Sequence, residues 1–167
     1  MKDKFFAIGY HGTDARYTPS ILSGIDFAIN KGDKFLGQGF YLWRDSYNRA
    51  YKWSQSTRNF ESIDILYVKV ECKKEHVLNF TSQSWGKENM LLEMHKEHFS
   101  DKTFGEFIDY LVYHKDLDIN MIVIIDLTKN QTTFNIKDGE SETNFAFGDI
   151  QICLKNNRPI LKIDKVA

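Results

Sequence analysis

An α+β fold follows from the order of patterns along the 167-residue sequence. Strand-like runs come first, helical spacing fills the middle and strands return in the last third, without the regular alternation that builds βαβ units. Only two prolines, no low-complexity tract and no fixed-period repeat interrupt the chain, so residues 1–167 read as one domain.

The elements follow in order. Residues 5–10 form an apolar run that predicts a buried first strand, with His11 just after it. Residues 46–55 carry Tyr47, Ala50, Tyr51 and Trp53 at helical spacing behind Asp45 or Ser46 as N-cap. Alternation of apolar and polar side chains over 63–72 predicts a second strand. Spacings of three and four then predict helices over 87–98 (Met90, Leu91, Met94) and 102–114 (Phe107, Ile108, Leu111, Val112), with Ser84 and Thr103 as N-caps. Runs at 120–127, 132–136, 150–155 and 160–166 predict the late strands, and the polar stretch 137–148 predicts a loop.

Composition narrows the class. With 42% hydrophobic and 27% charged residues, thirteen Phe and eight Tyr, the chain has ample material for a core. Twenty-two basic against twenty-three acidic side chains leave a formal charge of -1, which is not the footprint of a nucleic-acid coat or membrane binder. Cys72 and Cys153 lie in strand-like runs and read as buried thiols, not as a disulfide framework or zinc site. The polar start Met1-Lys2-Asp3-Lys4 lacks a secretory apolar core, and no stretch approaches the ~18 apolar residues of a membrane span, so a cytoplasmic location is expected.

Three segments carry the chemistry: His11-Gly12-Thr13 near the first strand, Gly37-Gln38-Gly39-Phe40-Tyr41, and Asp149-Ile150-Gln151-Ile152-Cys153-Leu154. In their order and strand context they resemble the ADP-ribosyltransferase superfamily, in the branch related to poly(ADP-ribose) polymerases. That branch pairs a His-Gly-Ser/Thr segment with Gly-x-Gly-aromatic-Tyr and a late strand opening with Glu, its His-Tyr-Glu triad. The sequence looks especially like small bacterial toxin domains of this branch, with Ala50 and Trp53 matching their helix. The resemblance implies an ADP-ribosyltransferase-like fold: two packed, mostly antiparallel sheets around an NAD-binding cleft, with flanking helices. It implies NAD⁺ as co-substrate and no metal.

The roles it implies are chemically coherent. Cleaving the nicotinamide–ribose bond builds an oxocarbenium-like sugar and neutralises a cationic leaving group, so the site must grip the ring and stabilise positive charge on the ribose. The backbone N–H and C=O of Gly12 would pair with the nicotinamide amide, His11 with the adenosine ribose, and Thr13 would add a hydroxyl. Tyr41 would stack on the pyridinium, a contact of ~1 kcal/mol or more when desolvated. Tyr51 reads equally as closing the other face of that ring or as a core aromatic. Gly37 and Gly39 would turn the chain tightly and leave space for the cofactor. Arg49, with Arg16, Lys31, Lys34 and Arg44, would meet the pyrophosphate or form a solvated rim.

Gln151 stands where the family most often has Glu; its amide bonds a ribose hydroxyl but accepts no proton. Asp149, two residues earlier on the same strand face, or less favourably Glu142, would activate the acceptor, unless Asp149 is only a solvated edge residue. Phe145 and Phe147 sit where related transferases recognise their targets and read either as acceptor contacts or as strand residues, the latter favoured for Phe147.

The expected activity is a single transfer of ADP-ribose to a protein or nucleic-acid acceptor, as in bacterial toxins of defence or toxin–antitoxin systems, with a cognate antitoxin or inhibitor as a further expected partner. NAD⁺ glycohydrolysis and a catalytically inactive NAD or ADP-ribose binding module are the alternatives. His95 and His98 read as a solvated helix face, and no P-loop, complete dinucleotide fingerprint or nucleophile elbow occurs.

Overall fold

A computed structural model describes residues 3–28, 36–81, 86–126, 132–138, 141–147 and 149–166. Its order is β1 (Lys4–Asp14), α1 (Thr18–Ser23), β2 (Phe40–Arg44), α2 (Tyr47–Lys52), β3 (Ile63–Lys73), β4 (Val77–Asn79), α3 (Gly86–His98), α4 (Phe104–Asp109), β5 (Met121–Asp126), β6 (Thr132–Asp138), β7 (Ser141–Phe147), β8 (Asp149–Leu154) and β9 (Ile160–Lys165). The fold is α+β. Seven strands form one mixed sheet in the order β4-β5-β8-β2-β1-β3-β9, and β6 pairs with β7 as a separate hairpin.

The connectivity forces this sheet to curl. In a flat sheet β4 and β3 would lie five strand spacings apart, ~24 Å. Yet Lys73 ends β3 and Val77 begins β4, a span that an extended chain covers in at most ~14 Å. The bend falls between β1 and β2, which share only the pairs Gly9↔Arg44 and Tyr10↔Trp43. The half β4-β5-β8-β2 thereby folds over the half β1-β3-β9 and encloses the main core. That core takes Phe40, Leu42, Val77, Met121, Ile152 and Leu154 from the first half and Ala7, Leu66, Val68, Val70 and Cys72 from the second. Where two separate sheets are expected, the two-pair ladder makes the hydrogen bonding continuous.

On the outer face of the first half, α3 and α4 bury Leu91, Phe107 and Ile108 against Leu78, Ile122 and Cys153. At the bend, α2 seats Ala50 on Trp43 and Ile65. Ser46 caps α2 through its hydroxyl, which accepts from the Arg49 N–H at 3.1 Å. Thr103 and Glu106 form a reciprocal capping box on α4. Both α2 and α4 run on into one π-helical turn, at Trp53–Thr57 and Tyr110–His114.

Several expectations change. β1 is longer than the run 5–10 and contains His11, Gly12 and Thr13, because the eleven-residue β3 supplies partners from Lys4↔Lys73 to Asp14↔Ile63. The stretch 137–148, expected as a loop, contributes to the β6–β7 hairpin, with Phe134↔Phe145 and Thr132↔Phe147 in register. On α3 the buried side chains are Glu88 and Leu91, whereas Met90 is exposed. The Glu88 carboxylate accepts the Asn79 N–H at 2.9 Å, turning the helix away from its simple apolar stripe. Ser84 lies outside the described residues.

Candidate functional site

β8, β2 and β1 are neighbours, so the three chemical segments converge on the bend in the sheet. Beyond Tyr10↔Trp43 strands β1 and β2 part, and the His11 imidazole reaches across to the backbone of β2. Its Nδ1 lies 2.8 Å from the Tyr41 carbonyl oxygen, and its ring stacks on Phe40 at 4.0 Å and 26°. A carbonyl only accepts, so this bond puts a proton on Nδ1, and in a neutral ring Nε2 then carries the acceptor lone pair.

Gly12 presents its backbone to the same gap. The N–H of Asp45, just past β2, donates to Ile8 C=O at 2.9 Å, so even-numbered residues of β1 direct their backbone groups toward β2. From the other side, Val166 donates to Ile65 C=O at 2.8 Å, which makes Gly12↔Ile65 a non-hydrogen-bonded pair within the β1–β3 ladder. The N–H and C=O of Gly12 therefore point into the space that β2 has left. Behind it, a Cβ at Gly12 would run into Ser54 Oγ and lie 2.7 Å from the Ala50 carbonyl oxygen. The glycine is needed for the close seating of α2 and its π turn, a reason absent from the sequence reading. Thr13 is buried, and its hydroxyl makes a long 3.4 Å bond to the Asp14 carbonyl.

Tyr41 leaves the sheet on the face opposite the His11 ring, since it alternates with Phe40 and packs on the outer core beside Cys153. Its phenol donates to Gly37 C=O at 2.6 Å. Burial, followed by the adjacent Cys153, raises the phenol pKa far above the ordinary tyrosine value, so the group stays a neutral donor. The side chains of His11 and Tyr41 are thus joined through the backbone of residue 41 and not through one shared stacking pocket. At Gly39 a Cβ would lie 2.7 Å from the Leu154 carbonyl oxygen and clash with Cys153 Sγ. This glycine accommodates the neighbouring strand, a reason absent from the sequence reading.

Gln151 pairs with Trp43 across β8 and β2, on the outer face, and is 9% exposed. Among the described residues its Oε1 has no hydrogen-bond partner. An orphaned buried acceptor costs about 1–3 kcal/mol. Beside it, Arg49 Nε lies 3.0 Å from Asp149 Oδ2, with the guanidinium 4.6 Å above the Trp43 ring. Trp43, Arg49, Asp149 and Gln151 form one cluster at the edge of the bend.

The remaining expected residues sit elsewhere. Tyr51 is exposed on the outer side of α2, parallel to Tyr47 at 6.4 Å, and Tyr47 meets Tyr10 edge-on. Arg16 pairs with Asp14 at 3.2 Å, and Arg44 with Asp45 at 3.5 Å. The side chains of Phe145, Phe147 and Glu142, and residues Lys31 and Lys34, lie outside the described ones. His95 Nε2 reaches the Lys102 carbonyl at 2.7 Å, and among the described residues no group of three or more His, Cys, Asp or Glu could hold a metal ion. Both cysteines are free and buried. Among the described residues no helix is long and apolar enough to cross a membrane.

Sequence reasoning missed Trp43, Ser54, Asp109 and Lys155. The only signals were an acid inside the apolar stripe of 102–114 and a lysine closing the apolar run 150–155. No family model, curated protein or solved structure matches the chain.

Proposed function

We propose that the chain binds NAD⁺ at the gap between β1 and β2 and transfers its ADP-ribose to a macromolecular acceptor, as an ADP-ribosyltransferase-like domain. The observation that carries this reading is the orientation of Gly12, whose N–H and C=O face the gap left by β2. A primary carboxamide such as that of nicotinamide offers the matching acceptor and donor. The folding of one sheet into two halves over a core also suits the expected architecture of two packed layers around a cleft.

The other residues then take definite tasks. His11, with Nδ1 held by the Tyr41 carbonyl, offers Nε2 to a ribose hydroxyl. The orphan Oε1 of Gln151 accepts from a hydroxyl of the nicotinamide ribose. In the transfer the bond from the pyridinium nitrogen to ribose C1′ breaks, its electron pair leaves with neutral nicotinamide, and C1′ bonds to the acceptor nucleophile. The nucleophile's proton goes to the Asp149 carboxylate, which Arg49 orients. Tyr41 serves by fixing the turn that precedes it instead of stacking on the pyridinium.

Gln151 favours a second reading, a silent NAD⁺ or ADP-ribose binding module, because an amide supplies no charge to the oxocarbenium-like sugar. Incubation with NAD⁺ labelled in its adenylate half, in the presence of fractionated lysate, separates the readings. Label fixed to protein or nucleic acid with release of nicotinamide supports transfer, free ADP-ribose alone supports glycohydrolysis, and binding without turnover supports the silent module. An absence of both binding and turnover sinks the proposal.

A further inference from the structure

The turn at Gly37-Gln38-Gly39 is held from inside the protein by a cation. The Lys155 side chain is wholly buried, and its ammonium lies 2.6 Å from the Leu36 carbonyl oxygen, 2.6 Å from that of Gln38 and 3.1 Å from Asp109 Oδ1. An ammonium has three N–H donors, and here each has its own acceptor. Asp109 in turn accepts the Gln38 N–H on both carboxylate oxygens, at 3.0 and 2.8 Å. The carbonyl between the two that Lys155 captures, that of Gly37, takes the Tyr41 phenol. Three consecutive carbonyls of one turn are therefore fixed by the side chains of Lys155, just past β8, and Tyr41 of β2.

The turn is shaped for this arrangement. Gly37 sits at φ +79°, in the left-handed region, and any Cβ there would collide with the Asp109 carboxylate. The Cys153 thiol adds a weak bond to Gln38 C=O at 3.7 Å. A buried ion pair is seldom the most stabilising way to fill a core, since apolar residues of like volume serve as well or better. What the pair does supply is direction, because only donors and acceptors at these points select one path of the backbone from residue 36 to residue 41.

We propose that Lys155, paired with Asp109, is a positioning residue: it sets the Gly37–Gly39 turn and hence the placement of the Tyr41 carbonyl that holds His11. The inference rests on the NAD⁺ reading for its consequence in activity, but the positioning itself is measurable without NAD⁺.

The test compares wild type with the double variant Lys155→Met/Asp109→Asn, which removes both charges together and so leaves no unpaired buried ion, while Asn keeps an acceptor for Gln38. Hydrogen exchange by mass spectrometry and NAD⁺ turnover are both recorded. The expected result is a folded protein with exchange in residues 36–42 faster by about tenfold or more and β3 and β9 unchanged. Its kcat/KM for NAD⁺ falls by about thirtyfold or more, mostly in kcat. Wild-type protection over residues 36–42, unchanged turnover despite faster exchange, or failure of the double variant to fold each overturns the proposal, the last because the pair would then hold the whole fold and not the turn. If wild type neither binds nor turns over NAD⁺, the functional reading fails, and the exchange data alone decide the positioning.

Discussion

The imidazole of His11 takes a place in the sheet that backbone would otherwise occupy: its Nδ1 binds the Tyr41 carbonyl at 2.8 Å where β1 and β2 have ceased to pair. The bond fixes the tautomer. Long-range nitrogen–proton correlation spectra at neutral pH are expected to show the proton of the neutral ring on Nδ1. A neutral ring protonated on Nε2 would remove His11 as a ribose acceptor.

Gly12 separates two kinds of glycine. Gly12→Ala places a methyl against Ser54 Oγ and the Ala50 carbonyl, and overpacking of this sort costs about 1–3 kcal/mol. Gly24→Ala meets nothing within 4 Å and is expected to stay within about 0.5 kcal/mol of wild type. Urea unfolding of both variants checks the contrast, and equal midpoints would show that α2 yields without strain.

The fold was legible where physics is local. Alternation in 63–72 marked β3, and Thr103 as N-cap marked the start of α4, because pleat and capping are written in adjacent residues. The motif residues of β1, β2 and β8 were legible by type, and those strands do adjoin. Side-chain direction was not. That Tyr41 turns to the outer core while His11 faces Phe40 depends on the two-pair ladder between β1 and β2, a tertiary fact. Lys155 and Asp109 escaped for the same reason, since each looks like an ordinary polar residue until α4 and the end of β8 bring them together 46 positions apart.

Gln151 should show function and stability pulling apart. Replacing it by Met removes the orphan Oε1 from a buried site while roughly keeping its length. Thermal stability is expected to hold or rise, since the cost of an unsatisfied acceptor disappears. Turnover of NAD⁺ is expected to fall by about tenfold to a hundredfold as a ribose contact is lost. A variant of lower stability and full activity would mean that Gln151 is a packing residue.

On the proposed transfer reading, substitutions at Asp149 are expected to divide binding from transfer. Asp149→Asn keeps the shape of the pair but removes the base, so transfer is expected to drop by about a hundredfold at nearly unchanged NAD⁺ affinity. Steady-state kinetics with a saturating acceptor reads the split. An equal loss in affinity and rate would assign Asp149 to ligand binding instead.

Acid should loosen the end of β3. The hydrogen bond from the Thr18 hydroxyl, followed by the bond to Lys165, holds Asp64 below its ordinary pKa of 3.8. A depressed folded-state pKa contributes stability that is fully present above the unfolded value and is lost as pH falls through the folded one. Unfolding midpoints are therefore expected to decline below about pH 4, and the decline is expected to be shallower in Thr18→Val. Identical acid profiles for the two proteins would locate the titrating group elsewhere.

Calorimetric titration of NAD⁺ into wild type and into His11→Ala addresses the account most directly. One saturable site in wild type, weakened about tenfold or more by His11→Ala in a still-folded protein, is the expected result. No binding up to millimolar NAD⁺, or the same affinity in both proteins, would contradict it.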